Sequence, residues 1–376
     1  MYDLVIKNGH VFDPSTKTDE VKDLYIHEGQ FCDKDEVDPK AQVIDAEGLY
    51  VFPGLIENHC HCYYGATDLG IQSDLILIPN GITSAMDYGS TGYVNFHDFR
   101  KNVIDHSQMT IKAYLSASPT GIIAEKFFEN FDPDRMDEAC IKRCYEKYKE
   151  NIVGIKVRLG IDNLSVWGTR PLERAIEIAG DLGLHVAVHV KDSPIPVSEI
   201  AGLMRKGDVW VHMHQSKGHN FLDENGVLDP EILKAKERGV LFDGAGGRNS
   251  YSFRMIRAQL EQGLKPDFIG TDIVSFNAYE RPMFSLPYMM SVFMALGLSM
   301  EEVIEKVTVA PARIMGMENR IGTIRKGAKG DLAIMRISEE PRILTDTNKE
   351  ELHVDKLFMP MATVKEGTVL YRNIEV

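Results

Sequence analysis

Residues 56 to 62 read IENHCHC, with His59 and His61 one residue apart after the apolar run LYVFPGL. In an extended strand, side chains two apart share a face. Both imidazoles would then point to one spot, with Cys60 and Cys62 facing away. Two converging imidazoles suit a bound metal ion. A His-x-His pair also fits a strand that simply leaves the core, so the remaining ionisable residues decide. Lys156 lies in VGIKVR, His189 in LHVAVHV, His212 and His214 in DVWVHMH, and Asp272 closes DFIGTD. Each has a plain alternative: a lysine reaching solvent, a hydrogen-bonded core histidine, an aspartate capping the next helix. Taken together they interrupt apolar strands at corresponding ends. Buried polar groups need partners, and a metal is one partner that all of them can share. His185 starts its strand and is expected at the opposite rim.

The elements that would position these residues alternate along the middle of the chain. Short β-branched runs stand at 82–87, 110–116, 152–158, 184–190, 208–214, 239–243 and 267–272, and LYVFPGL adds one more. Segments with helical spacing separate them, including DEACIKRCYEKYKEN, RPLERAIEIAGDLG and PEILKAKERG. Eight β/α units in about 260 residues match a (β/α)8 barrel, in which chemistry collects at the C-terminal strand ends. An open doubly wound sheet would carry an early glycine-rich phosphate turn. GAGG at 244–247 comes late, and Asn249 stands where that motif needs glycine. Both ends of the chain read as β: YDLVIKNGHVFD with a hairpin signal at Asn8-Gly9, DLYIHEGQFC with Glu28-Gly29, and two further strand–turn–strand segments near the C-terminus. The expected organisation is one small β-sandwich domain from 1–52 and 320–376, beside a catalytic barrel at 53–319.

Composition narrows the setting. The chain has 376 residues, 44% hydrophobic and 26% charged, with net charge -14 and no long basic run. That speaks against a nucleic-acid surface. MYDLVIKNGH lacks signal-peptide architecture. The richest apolar stretch, MFSLPYMMSVFMALGLSM, is interrupted by Pro287 and Gly297 and reads as a buried helix rather than a membrane span. Five cysteines without a disulfide spacing fit a reduced, cytoplasmic location. The expected partners are a small-molecule substrate and further copies of the chain.

At this point the chain resembles the amidohydrolase superfamily, through YDLVIKNGHVFDP, VFPGLIENHCHC, Lys156, His189, His212, Asp272, VTVAPARIMGM, IGTIRKGAKGDLAIM and VKEGTVLY. More narrowly, VGIKVRLG, KGDVWVHMH, GVLFDGAGGRNSYSF and IGTDI resemble metal-dependent hydrolases often labelled dihydroorotase or adenine deaminase. The resemblance implies two zinc ions and deacetylation of small esters of the acetyl-mandelate type. It assigns His59, His61 and Asp272 to one ion and His189 and His212 to the other, with His212 preferred to His214 by register. Lys156, converted by carbon dioxide to a carbamate, would bridge ions about 3.5 to 4 Å apart. A hydroxide shared by the ions would attack, and Asp272 would carry its proton to the leaving group. Arg158 and Arg248 are candidates for pairing with an anionic substrate group. Two departures stand out: Glu57 replaces the usual aspartate, and Gly246 stands where the related group has a histidine. The alternatives are a cyclic amidase, a deaminase, or a noncatalytic assembly protein. The complete ligand set speaks against the last, and Lys156 against a mononuclear deaminase.

Overall fold

The computed structural model describes residues 3–127, 129–247, 250–279 and 284–376. Five strands come first: β1 (Leu4–Asp13), β2 (Thr18–His27), β3 (Gln30–Cys32), β4 (Gln42–Asp45) and β5 (Tyr50–Pro53). Asn8-Gly9 does not make the expected hairpin. β1 runs straight through it, and the register to β2 slips between Ile6 and Gly9. Asn8 sits at φ 59° and its amide donates to Asp45 at 2.9 Å. A Cβ on Gly9 would come within 2.5 Å of Val51. The pair therefore forms a bulge inside a strand. Glu28-Gly29 does turn the chain, with both residues at positive φ between the paired His27 and Gln30.

A curled parallel sheet follows, with β6 (Leu55–Cys60), β7 (Ile82–Tyr88), β8 (Thr110–Ser116), β9 (Ile152–Gly160), β10 (His185–Lys191), β11 (Val209–Val211) and β12 (Leu241–Asp243) as neighbours in sequence order. Two expectations change here. LYVFPGL is not one barrel strand, because the chain bends at Pro53-Gly54: β5 belongs to the first sheet, and β6 opens the parallel one. The segment 267–272 forms no regular strand. Parallel bridges at Phe268 to Asp243 and at Ile273 to Cys60 link it to both edges of the curl. Helices cover the outside. Arg170–Asp181 buries Leu172, Ala175, Ile178 and Ala179 on one stripe, and full burial of Leu172 or Ile178 stabilises by about 1.5–3 kcal/mol. The apolar stretch broken by Pro287 and Gly297 contains the helix Leu286–Ala295, buried along most of its length. No helix among the described residues is long and apolar enough to cross a membrane.

The chain closes with β13 (Leu332–Ser338), β14 (Arg342–Thr345), β15 (Glu351–Val354), β16 (Leu357–Lys365) and β17 (Thr368–Arg372). One eight-stranded sheet joins the two ends in the order β17-β16-β13-β5-β1-β2-β3, with β4 also on β1. β14 and β15 pair only with each other. This hairpin leaves the sheet and attaches near the parallel strands' C-terminal side, where Asp346 accepts from the Phe253 amide at 2.8 Å.

Candidate metal centre

β6 delivers His59 and carries the chain on to His61, and the segment 267–272 beside it delivers Asp272. Glu57 ties these together. One of its oxygens accepts from the amides of Thr271 (2.8 Å) and His59 (3.1 Å), and the other from the Thr271 hydroxyl (2.8 Å). Burial pushes the Glu57 carboxyl up to about 8 against those three hydrogen bonds. The departure from aspartate thus leaves a residue that splices β6 to the segment 267–272. His59 Nε2 lies 3.4 Å from Asp272 Oδ1, His61 Nε2 3.2 Å from the same oxygen, and His212 Nε2 3.4 Å from Asp272 Oδ2. His189 joins the cluster from β10, its ring centroid 4.7 Å from that of His212.

The outer sides of the His212, His59 and His61 rings are held. His212 Nδ1 lies 3.0 Å from the Ala245 carbonyl, which can only accept. Nδ1 therefore carries the proton, and Nε2 presents a lone pair to a carboxylate oxygen. His59 Nδ1 meets Asp243 Oδ2 at 2.8 Å. His61 Nδ1 meets the Ser90 hydroxyl at 2.9 Å, which itself donates to Asp87 at 2.7 Å. Such outer partners fix the tautomer of metal-binding histidines. Burial drives the imidazoles of His59, His189 and His212 below their usual range, His212 to about 4, so they stay neutral.

Lys156 rises from β9 into the same space. Its Nζ is buried without a hydrogen-bond partner and lies 4.8 Å from the Tyr88 ring centroid. Burial, helped by the neighbouring Arg158, pulls its ammonium down to about 7. Gly89, at φ 85°, makes room for it: a Cβ there would lie 2.8 Å from Lys156 Cγ. His212 and Asp272 themselves adopt left-handed backbone, at φ 62° and 51°. Strain of this kind, of order 1–3 kcal/mol per residue, gathers at functional sites. Gly247 then approaches closely, and a Cβ there would lie 2.7 Å from Asp272 Oδ2.

These residues fit a cation. Three lone-pair nitrogens crowd one carboxylate, the buried Nε2 of His212 has no hydrogen-bond partner, and donor atoms of His59, His212 and Asp272 all lie within 4.8 Å of one another. Lone pairs facing a carboxylate repel unless positive charge lies between them. His214 takes no part: its Nδ1 contacts Gln259 at 2.5 Å and its ring packs by Phe293. Arg158 lines the adjoining cavity and pairs with buried Glu129 at 3.0 Å. Arg248 lies outside the described residues. At Gly246, a side chain would meet Phe284 at 2.8 Å and Met289 at 3.1 Å, which occupy the space a histidine would need.

Sequence reasoning missed Asp243, Ser90 and Asp87. Asp243 and Asp87 end the runs GVLFD and ITSAMD, and an acid closing an apolar strand was the available signal. Lys191 and Glu129 at the cavity were missed as well.

The Amidohydrolase family model matches residues 50–369. A protein named deacetylase from Brucella anthropi is 31% identical over 324 residues, covering 85% of this chain and 80% of its own length. A crystal structure titled adenine deaminase is 29% identical with a TM-score of 0.89, covering 99% of this chain and 100% of that one. Another, titled dihydroorotase, is 27% identical with a TM-score of 0.90, covering 99% and 98%. A histidine–carboxylate cluster at the mouth of a curled parallel sheet thus comes with likeness along nearly the whole chain, and the protein is a hydrolase that belongs to the amidohydrolase family.

Proposed function

We propose that this enzyme is a two-metal hydrolase of a small ester or amide, of the kind that removes an acetyl group from an acetylated hydroxy acid. The observation that carries the reading is the tautomer of His212: its proton is committed to Ala245, and its bare nitrogen faces Asp272. His59, His61 and Asp272 would hold one divalent ion, His189 and His212 the other, with zinc the candidate. Bound ions of this kind supply an activated water and polarise a carbonyl. Lys156 would contribute to both as a carbamate. With its ammonium drawn down to about 7, the Nζ lone pair would attack carbon dioxide, forming the N–C bond as one C=O electron pair moves onto oxygen, and the nitrogen proton would pass to solvent water. Asp272 would take a proton from the attacking water and pass it to the departing alcohol or amine. Arg158 faces the cavity beside these groups and would orient an anionic substrate. The parallel bridges at Phe268 and Ile273 support reading the curled sheet as an eight-fold barrel. The shared sheet supports a β-domain from 1–52 and 320–376 beside a catalytic 53–319. Five free cysteines suit a cytoplasmic location.

Metal analysis and a hydrolysis screen across acetyl esters, N-acyl amino acids and cyclic ureides test the reading together. The acetyl ester or N-acyl arm is expected to dominate, and preference for the ureides would instead indicate a cyclic amidase. Lys156→Ala is expected to lose at least one ion and nearly all turnover, with part restored by acetate. Lys156→Arg, which stays cationic and fills the space, should not be rescued. A Lys156→Ala protein with two ions and near-normal rates would overturn the mechanism.

A further inference from the structure

Lys191 ends β10, two residues beyond His189, so the two side chains share a strand face. Both line two adjoining cavities, of about 170 and 90 Å3, at the mouth of the histidine cluster. The first is walled by Ile122, Phe127 and Ile161 on its apolar side. The second reaches His61 and Asp272. Arg158 and Lys191 are the arginine and lysine side chains lining these cavities among the described residues, beside the acidic Glu125, Asp162, Asp192 and Asp272. They differ in what they meet. The Arg158 guanidinium is engaged by the buried carboxylate of Glu129 at 3.0 Å, and Ser116 backs that carboxylate at 3.2 Å. The half-buried Lys191 side chain makes no hydrogen bond among the described residues, and only the nearby charges of Asp192 and Asp272 favour its ammonium. Its neighbour Asp192 sits at φ 50°, in left-handed backbone that lets the chain turn immediately after the lysine.

We propose that Lys191 is the specificity-determining residue of this cavity, binding the carboxylate of a substrate whose apolar group rests on Phe127 and Ile161. The inference rests on the hydrolase reading for where the scissile bond lies, and names the residue that selects the substrate. The apolar walls and the small volume favour a singly charged monocarboxylate over a phosphate, which would bring a second charge and three strong acceptors. The role is one of selection, since Lys191 acts on the charged end of the ligand and Asp272 on the reacting end.

The test is calorimetric titration of the metal-loaded protein with 3-phenylpropanoate and with 3-phenylpropanamide. These probes have the same size and differ in charge. Wild type is expected to bind the acid about tenfold more tightly or better, the value of one charge-assisted hydrogen bond in a partly shielded site. Lys191→Met and Lys191→Gln should both reduce that preference to about twofold or less, while Lys191→Arg keeps most of it. Gln retains polarity and reach without charge, so agreement between the two neutral variants separates lost charge from a packing defect. Circular dichroism checks that each is folded. Equal affinity of wild type for the two probes would overturn the proposal, as would a preference unchanged in the neutral variants or tighter binding of inorganic phosphate than of the acid. The ratio needs no turnover, so failure of every acylated substrate in the hydrolysis screen would remove the proposed reaction while leaving this readout intact.

Discussion

Two residues separate His212 from His214, yet their rings meet different surroundings. His212 leaves β11 in left-handed backbone and turns its free nitrogen to Asp272, whereas His214 is enclosed by Gln259 and Phe293. His212→Ala should therefore lower metal content and turnover with little change in the folded fraction. His214→Ala should keep its metal and lose about 1–3 kcal/mol of stability, because Gln259 is left with an unpaired buried group. Metal analysis and urea unfolding, run on both variants, read the contrast, and metal loss in the second would reverse the assignment. The histidines, Lys156 and Asp272 stood out because each is polar within or just after an apolar run. Asp243 and Ser90 did not. An aspartate or serine after a strand is ordinary turn chemistry, and only the folded chain brings Asp243 to a histidine 184 positions away. Gly246 was visible as a departure, but Phe284 and Met289, which fill its space, come from a distant helix and loop.

At the level of elements, strand and helix positions followed from periodicity, and the errors fell where local signals compete with long-range pairing. Asn8-Gly9 has hairpin chemistry, but contacts with Asp23, Asp45 and Val51 make a continuous bulged strand more favourable. The segment 267–272 reads as a strand and is held by single bridges and by Glu57. The β1–β2 pairing offers a test of its own. His27 Nδ1 lies 3.0 Å from Asp3. That hydrogen bond raises the imidazole above its usual 6.5, and the Asp38 amide together with His27 lowers Asp3 below 3.8. A raised histidine stabilises fully below 6.5 and fades as pH climbs through its folded value. A depressed aspartate stabilises fully above 3.8 and fades as pH falls through its own. The pair thus contributes fully between about pH 3.8 and 6.5. NMR titration should find His27 above 6.5, with Asp3→Asn returning it toward that value. An unchanged midpoint in the variant would break the assignment.

Across the whole molecule, polar contacts tie the two-ended sheet to the curled one and its connections. Lys365 on β16 donates to Thr110 on β8 at 3.0 Å while pairing at 2.7 Å with Asp331 of its own sheet region, and Thr363 donates at 2.6 Å to the Ile78 carbonyl in the turn ahead of β7. Lys365→Met leaves the buried Asp331 without its cation, at an expected cost of about 3–5 kcal/mol. Adding Asp331→Asn should recover much of that loss. Guanidinium unfolding should show one transition in all three proteins, and a separate early transition of the β-rich part would mean that these contacts do not couple it to the rest. The same sheet imposes an order on biosynthesis. β5 lies between β1 and β13, and about 280 residues separate it from β13, so at roughly 5–20 residues per second the ribosome needs some 15 to 55 seconds to supply the missing neighbour. During that interval β5 presents an open edge to the cell, the kind of surface that chaperones cover and that misassembled chains share.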